Sequence, residues 1–144
     1  MPQNLFPWNN PGGLRESSQN NYVYGTNAAT SATTLSAASL TGAADEVILN
    51  MTGALAAGAV ATTDTAANII AAIPQAQRFP GANYKLRIIN SSTGAFAWTV
   101  AGGSGVTVTG TATVTQNTWR EFMVTLGNSL TTVTLQSIGT GTNS

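Results

Sequence analysis

The sequence predicts an all-β fold, a jelly-roll-like or sandwich domain with one short helix and an irregular N-terminal arm. Three observations carry that expectation. From residue 84 onward, apolar and polar residues alternate with period two in one segment after another. Gly, Asn and Ser clusters interrupt the alternation about every ten residues, the rhythm of turns in a sandwich or barrel. Thr and Val dominate these segments, and a branched Cβ favours extended backbone.

Residues 1–25 form a separate zone, an extended arm ahead of a single β domain at 26–144. Pro2, Pro7 and Pro11, three of the five prolines, lie here with Gly12 and Gly13. Proline fixes φ and removes a donor, so neither a helix nor a central strand survives that spacing. Disordered linkers are poor in aromatics, yet Leu5, Phe6, Trp8, Tyr22 and Tyr24 all fall in this zone. These five are the candidate partner-binding residues of a segment that docks on its own domain or on a neighbour.

The next segment, TNAATSATTLSAASLT, reads as a strand from about Thr33 to Leu40. After a turn at Thr41-Gly42 and the pair Asp45-Glu46, VILNM reads as a second strand. ALAAGAV fits either strand or loop. Thr62, Thr63 and Asp64 are N-cap candidates for a helix of about three turns over TAANIIAAI, with Ile69, Ile70 and Ile73 on one face and Pro74 as its stop. Phe79-Pro80-Gly81 is a turn. Tyr84, Leu86 and Ile88 then face one way and Lys85 and Arg87 the other. Phe96, Trp98 and Val100 alternate with Ala95, Ala97 and Thr99, and Trp98, Phe96 or Phe122, Ile88 and Val124 make the predicted core. The segment TWREFMVTL carries apolar groups on both faces, which predicts a central strand. TTVTLQSI is the last strand, and GTGTNS reads as a frayed polar tail.

Charged residues are 7% of the 144, with 5 basic and 5 acidic side chains, against roughly 25% in an ordinary domain. That balance offers no footprint for nucleic acid or an anionic membrane. Large surfaces of such a chain can be buried without desolvating charge. With no Cys and no His, thiol chemistry is excluded and the commonest general base and metal ligand are missing. The opening MPQNLFPWNNPGG does not read as a secretory signal, and no apolar stretch approaches the length needed to span a bilayer.

No catalytic, cofactor-binding or metal-binding residues emerge. Asp45 and Glu46 are adjacent, so on a strand they point to opposite faces and make no glycosidase pair. The glycines of AGGSGVTVTG lack the lysine and strand-to-helix context of a phosphate loop. Arg78, Lys85 and Arg87 are too few for groove recognition.

The stretch from LRIIN through GVTVTGTATV and NTWREFMVT to VTLQSIGTG resembles capsid cement (decoration) proteins of short-tailed bacteriophages, such as those infecting Bordetella. The resemblance covers about residues 84–141. It implies a jelly-roll-like domain, a symmetric homo-oligomer (dimer or trimer) and the major capsid protein as partner. It also implies residence on the outer capsid surface after assembly in the host cytoplasm. The family has no active site to carry over. The alternative reading is a carbohydrate- or receptor-binding module of a fibre or spike, with Trp98, Trp119 and Tyr84 as stacking rings.

Overall fold

The computed structural model describes residues 22–42 and 44–143. Ten strands occur among them: β1 Tyr22–Asn27, β2 Thr33–Leu35, β3 Glu46–Met51, β4 Ala59–Thr63, β5 Asn83–Asn90, β6 Trp98–Ala101, β7 Val106–Thr109, β8 Thr113–Val114, β9 Thr118–Leu126 and β10 Val133–Thr142. Two short helices accompany them, α1 Ala37–Leu40 and α2 Ala66–Ala72. The chain is all-β, in two sheets. The larger has the order β1-β3-β5-β9-β10-β7 and the smaller the order β2-β4-β6-β8.

From β1 to β8 each strand lies in the opposite sheet from its predecessor. The consequence is parallel pairing, because a chain that crosses to the other sheet and back returns in the same direction. β1 pairs parallel with β3, β3 with β5, β2 with β4, β4 with β6, and β7 with β10. Among the described residues, antiparallel pairing is confined to β5–β9, β9–β10 and β6–β8. A jelly roll is an antiparallel fold, so these parallel ladders are a feature the period-two pattern did not convey.

One apolar core lies between contributions from both sheets and both helices. Val47, Leu49, Met51, Leu86, Ile88, Phe122, Val124, Leu126, Val133 and Leu135 come from the larger sheet. Leu35, Ala61, Trp98, Val100 and Val114 come from the smaller, and Leu40, Ile69 and Ile70 from the helices. Trp98 is fully enclosed and donates its indole N–H to Ser92 Oγ at 3.1 Å. Asn90, equally enclosed, donates to the carbonyls of Phe96 and Val114 and accepts from the Ser92 amide. This polar knot joins the end of β5 to β6 and β8, and its groups are satisfied, as buried polar atoms must be.

Several expectations change. The strand foreseen at Thr33–Leu40 stops at Leu35, and α1 replaces its second half. Asp64 takes the Ala37 amide at 3.0 Å, removing a donor from any continued ladder, and the turn drives Leu40 into the core. The helix is α2, about two turns long, and Thr65 rather than Thr62, Thr63 or Asp64 occupies the N-cap, accepting from the Asn68 amide. Its C-terminal carbonyls accept from Arg78, whose guanidinium reaches Ala71 O and Ile73 O, a favourable match for the negative end of a helix. Phe96 is 38% exposed, so Phe122 takes the core place considered for either. The tail is not frayed as far as Thr142. β10 pairs Gly139 with Glu121, Gly141 with Trp119 and Thr142 with Thr118. Glycine suits this stretch because the Trp119 ring lies where a Cβ on Gly141 would project.

Candidate functional site

β1 is an edge strand of the larger sheet among the described residues, and it brings Tyr22 and Tyr24 onto the sheet's outer face. They are 58% and 54% exposed, with Val23 between them at 39%. Three consecutive large apolar side chains on an uncharged edge lack the lysines, prolines or bulges with which most proteins blunt such edges. Tyr24 accepts a hydrogen bond from Asn50 Nδ2 at 3.1 Å, which fixes its ring against β3. Leu5, Phe6 and Trp8 lie outside the described residues.

The outer face next to β1 is built by alternation along β3, β5 and β9. Pairing sets Ile48 beside Arg87, and Arg87 beside Glu121. Arg87 is the hub of this face. Its Nη2 lies 3.1 Å from Glu121 Oε2 and its Nε 3.2 Å from Glu46 Oε2. The second approach is an ion pair whose N–H is not directed at the carboxylate, so Arg87 Nε and Glu46 Oε2 are both buried without a hydrogen bond. The guanidinium stacks over Trp119, 4.5 Å from the ring centre, a cation–π contact. Burial, together with a hydrogen bond to Glu121, holds the Glu46 carboxyl above its ordinary range despite the attraction of Arg87.

Two carboxylates thus share one guanidinium on a strand face, which serves cohesion between β3, β5 and β9. The expected basic grouping is divided: Arg78 caps α2 and Arg87 is held by glutamates. Asp45 is exposed in a bend and Glu46 opens β3. Asp64 serves a structural junction. It accepts from Asn68 Nδ2 at 2.7 Å, the Thr65 amide at 2.8 Å and the Ala37 amide, and these bonds hold its carboxyl below the usual range.

A cleft of about 200 Å³ opens where the loop before β3, the segment after α2, the start of β5 and the end of β9 meet. Ile73, Phe79, Tyr84 and Leu126 line it with Asp45, Gln77 and Asn83. Tyr84 is committed to the fold: its hydroxyl donates to Leu40 O at 2.7 Å, and burial pushes the phenol up. Among the described residues no three His, Cys, Asp or Glu side chains come together as a metal-binding group. No helix among them is long and apolar enough to cross a membrane.

No protein-family model, curated protein or solved structure matches the chain.

The aromatic content of residues 22 and 24 was visible in the sequence, but their place on a strand edge was not. The Glu46–Arg87–Glu121–Trp119 cluster was missed. Its only sequence signal is the outward alternation of Arg87, Trp119 and Glu121, which does not reveal that β5 and β9 are neighbours.

Proposed function

We propose that the protein is a structural, non-enzymatic virion component that decorates the outer surface of a bacteriophage capsid and bridges major capsid subunits. The observation that carries this reading is the exposed Tyr22-Val23-Tyr24 edge, beside a sheet face on which Arg87 is already paired with Glu46 and Glu121. Such a surface gains free energy when apolar area leaves water and leaves few charges unpaired. The resemblance of residues 84–141 to cement proteins supports the same reading.

Each copy needs only a standard interface of roughly 1,600 Å². In a symmetric homo-oligomer several such contacts act together, and effective concentration multiplies modest affinities. The finer architecture in this reading is a two-sheet sandwich that turns the outer face of its larger sheet to the shell. The test compares particles with and without the protein under heating and osmotic shock. Decorated particles survive harsher treatment, and equal resistance would sink the cement role. Because apolar contacts dominate, molar salt leaves the protein attached.

A carbohydrate- or receptor-binding role would use the exposed Tyr22 and Tyr24 and the half-buried Trp119, since Trp98 is enclosed. Saturable binding to a glycan array, with none to empty capsids, would favour it.

A further inference from the structure

We propose that Glu46, Arg87 and Glu121 form a proton-operated latch across β3, β5 and β9, closed while Glu46 gives a proton to Glu121 and released when that proton is lost. The latch does not rest on the capsid reading. Its first support is a pair of orphaned atoms. Arg87 Nε and Glu46 Oε2 lie 3.2 Å apart, yet each is buried without a hydrogen bond. An ionised carboxylate oxygen held in that state is costly. A proton on Glu46 meets the need, because a protonated carboxyl is a donor and Glu121 is within its hydrogen-bonding reach. Glu121 already accepts from Arg87 Nη2 at 3.1 Å, so the guanidinium then faces one negative charge instead of two.

The surrounding groups decide which side chain moves when the proton leaves. Arg87 is held twice, by Glu121 and by the Trp119 ring 4.5 Å from its guanidinium. Glu46 has no such second hold. It opens β3 and pairs with Lys85, whose exposed side chain is the other cation of β5 on this face. β9 contributes Glu121, while the adjacent Arg120 is committed to Thr113 O and Ser137 Oγ. β1 contributes Tyr22 and Tyr24, and Asp45 lies exposed in the bend before β3. Burial first, and then the hydrogen bond to Glu121, keep the proton on Glu46 above the ordinary carboxyl range. Once ionised, Glu46 is repelled by Glu121 and drawn to Lys85. It turns outward and leaves Arg87 to Glu121. The side-chain bridge from β3 through Arg87 to β9 is then broken at the end of β3 that pairs with Tyr22. The exposed tyrosine edge is therefore held most firmly at mildly acidic pH.

The chain has three glutamates, Glu16, Glu46 and Glu121, so NMR of the full-length protein with labelled glutamate carboxyls gives three signals. Glu46→Gln and Glu121→Gln assign them. The Glu46 signal titrates above the ordinary carboxyl range near pH 4, and the Glu121 signal shifts at the same step. Glu121→Gln lowers the proton affinity of Glu46 about threefold or more. Amide exchange reads the mechanical consequence. The Lys85 N–H donates to Asp45 O at 2.9 Å, at the head of β3. Corrected for the intrinsic rate, its protection falls about tenfold as pH rises through the Glu46 step, and holds constant in Glu46→Gln. A Glu46 step in the ordinary range would overturn the latch, and the wild-type titration decides this even if a variant fails to fold. So would a raised step that Glu121→Gln leaves unchanged, which assigns it to burial alone. An equal loss of Lys85 protection in Glu46→Gln would separate the loosening from this proton and overturn it as well.

Discussion

Trp98, Asp64 and Glu46 show how differently single side chains hold this fold. Trp98 fills the space between the sheets and leaves a cavity if removed. Trp98→Ala costs about 3–5 kcal/mol in a denaturant titration, and a loss under about 1 kcal/mol would put the ring at the surface. Its inward direction was legible, because Trp98 and Val100 alternate with Thr99 and Ala101. Asp64 reads in sequence as a local cap, yet its third partner, Ala37, lies 27 residues away. Its carboxyl is held low by Asn68, Thr65 and Ala37. The stability it contributes is therefore complete above the ordinary carboxyl value near pH 4 and lost as pH falls through its depressed folded value. Asp64→Asn lowers the melting midpoint at neutral pH and removes this part of the acid transition. Glu46 has the opposite sign. Burial raises its folded value, so its favourable contribution is present below the ordinary value and disappears as pH rises through the raised one. Glu46→Gln consequently flattens stability against pH just above the usual carboxyl range, as thermal melts across pH 4–7 will show.

At the scale of elements, most strand positions could be read from alternation but their partners could not. Ser91–Gly94 and Gly102–Gly105 look like hairpin turns, yet the strands they connect lie in different sheets. Among the described residues, only the β9–β10 connection, through Gly127, joins consecutive strands that pair with each other. A glycine turn reports that the chain changes direction, and not whether the next strand stays in the sheet. The β3 exit depends on one such residue. Gly53 is buried, and a Cβ there would run into the backbone carbonyls of Ala28 and Ala29. Gly53→Ala displaces the β1–β2 connection and costs about 1–3 kcal/mol, the range for overpacking. A wild-type unfolding midpoint in that variant would show that the loop yields freely.

For the whole molecule, the question is which surface remains to be covered once the core is complete. Tyr22 and Tyr24 make no core contact that the fold requires, and Tyr24's bond to Asn50 is exposed. The double substitution Tyr22→Ala, Tyr24→Ala leaves domain stability within about 1 kcal/mol of wild type, as for surface changes generally. Binding to empty capsids falls roughly tenfold or more, because aromatic anchors carry a disproportionate share of interface energy. Sedimentation of the variant with capsids measures the loss. Undiminished binding by a folded variant would remove β1 from the proposed interface.

By itself the sequence determined an all-β chain, the inward residues Ile88, Trp98 and Val124, and a composition nearly free of charge. Those properties are local: a two-residue period selects faces, and composition sets what a surface can bury. Tertiary structure alone decided that β1 stands at an edge, that consecutive strands alternate between sheets, and that Arg87 gathers Glu46, Glu121 and Trp119. Each depends on which strands become neighbours. That choice is made by packing one shared core from distant segments, and a period of two is the same whichever strand lies alongside.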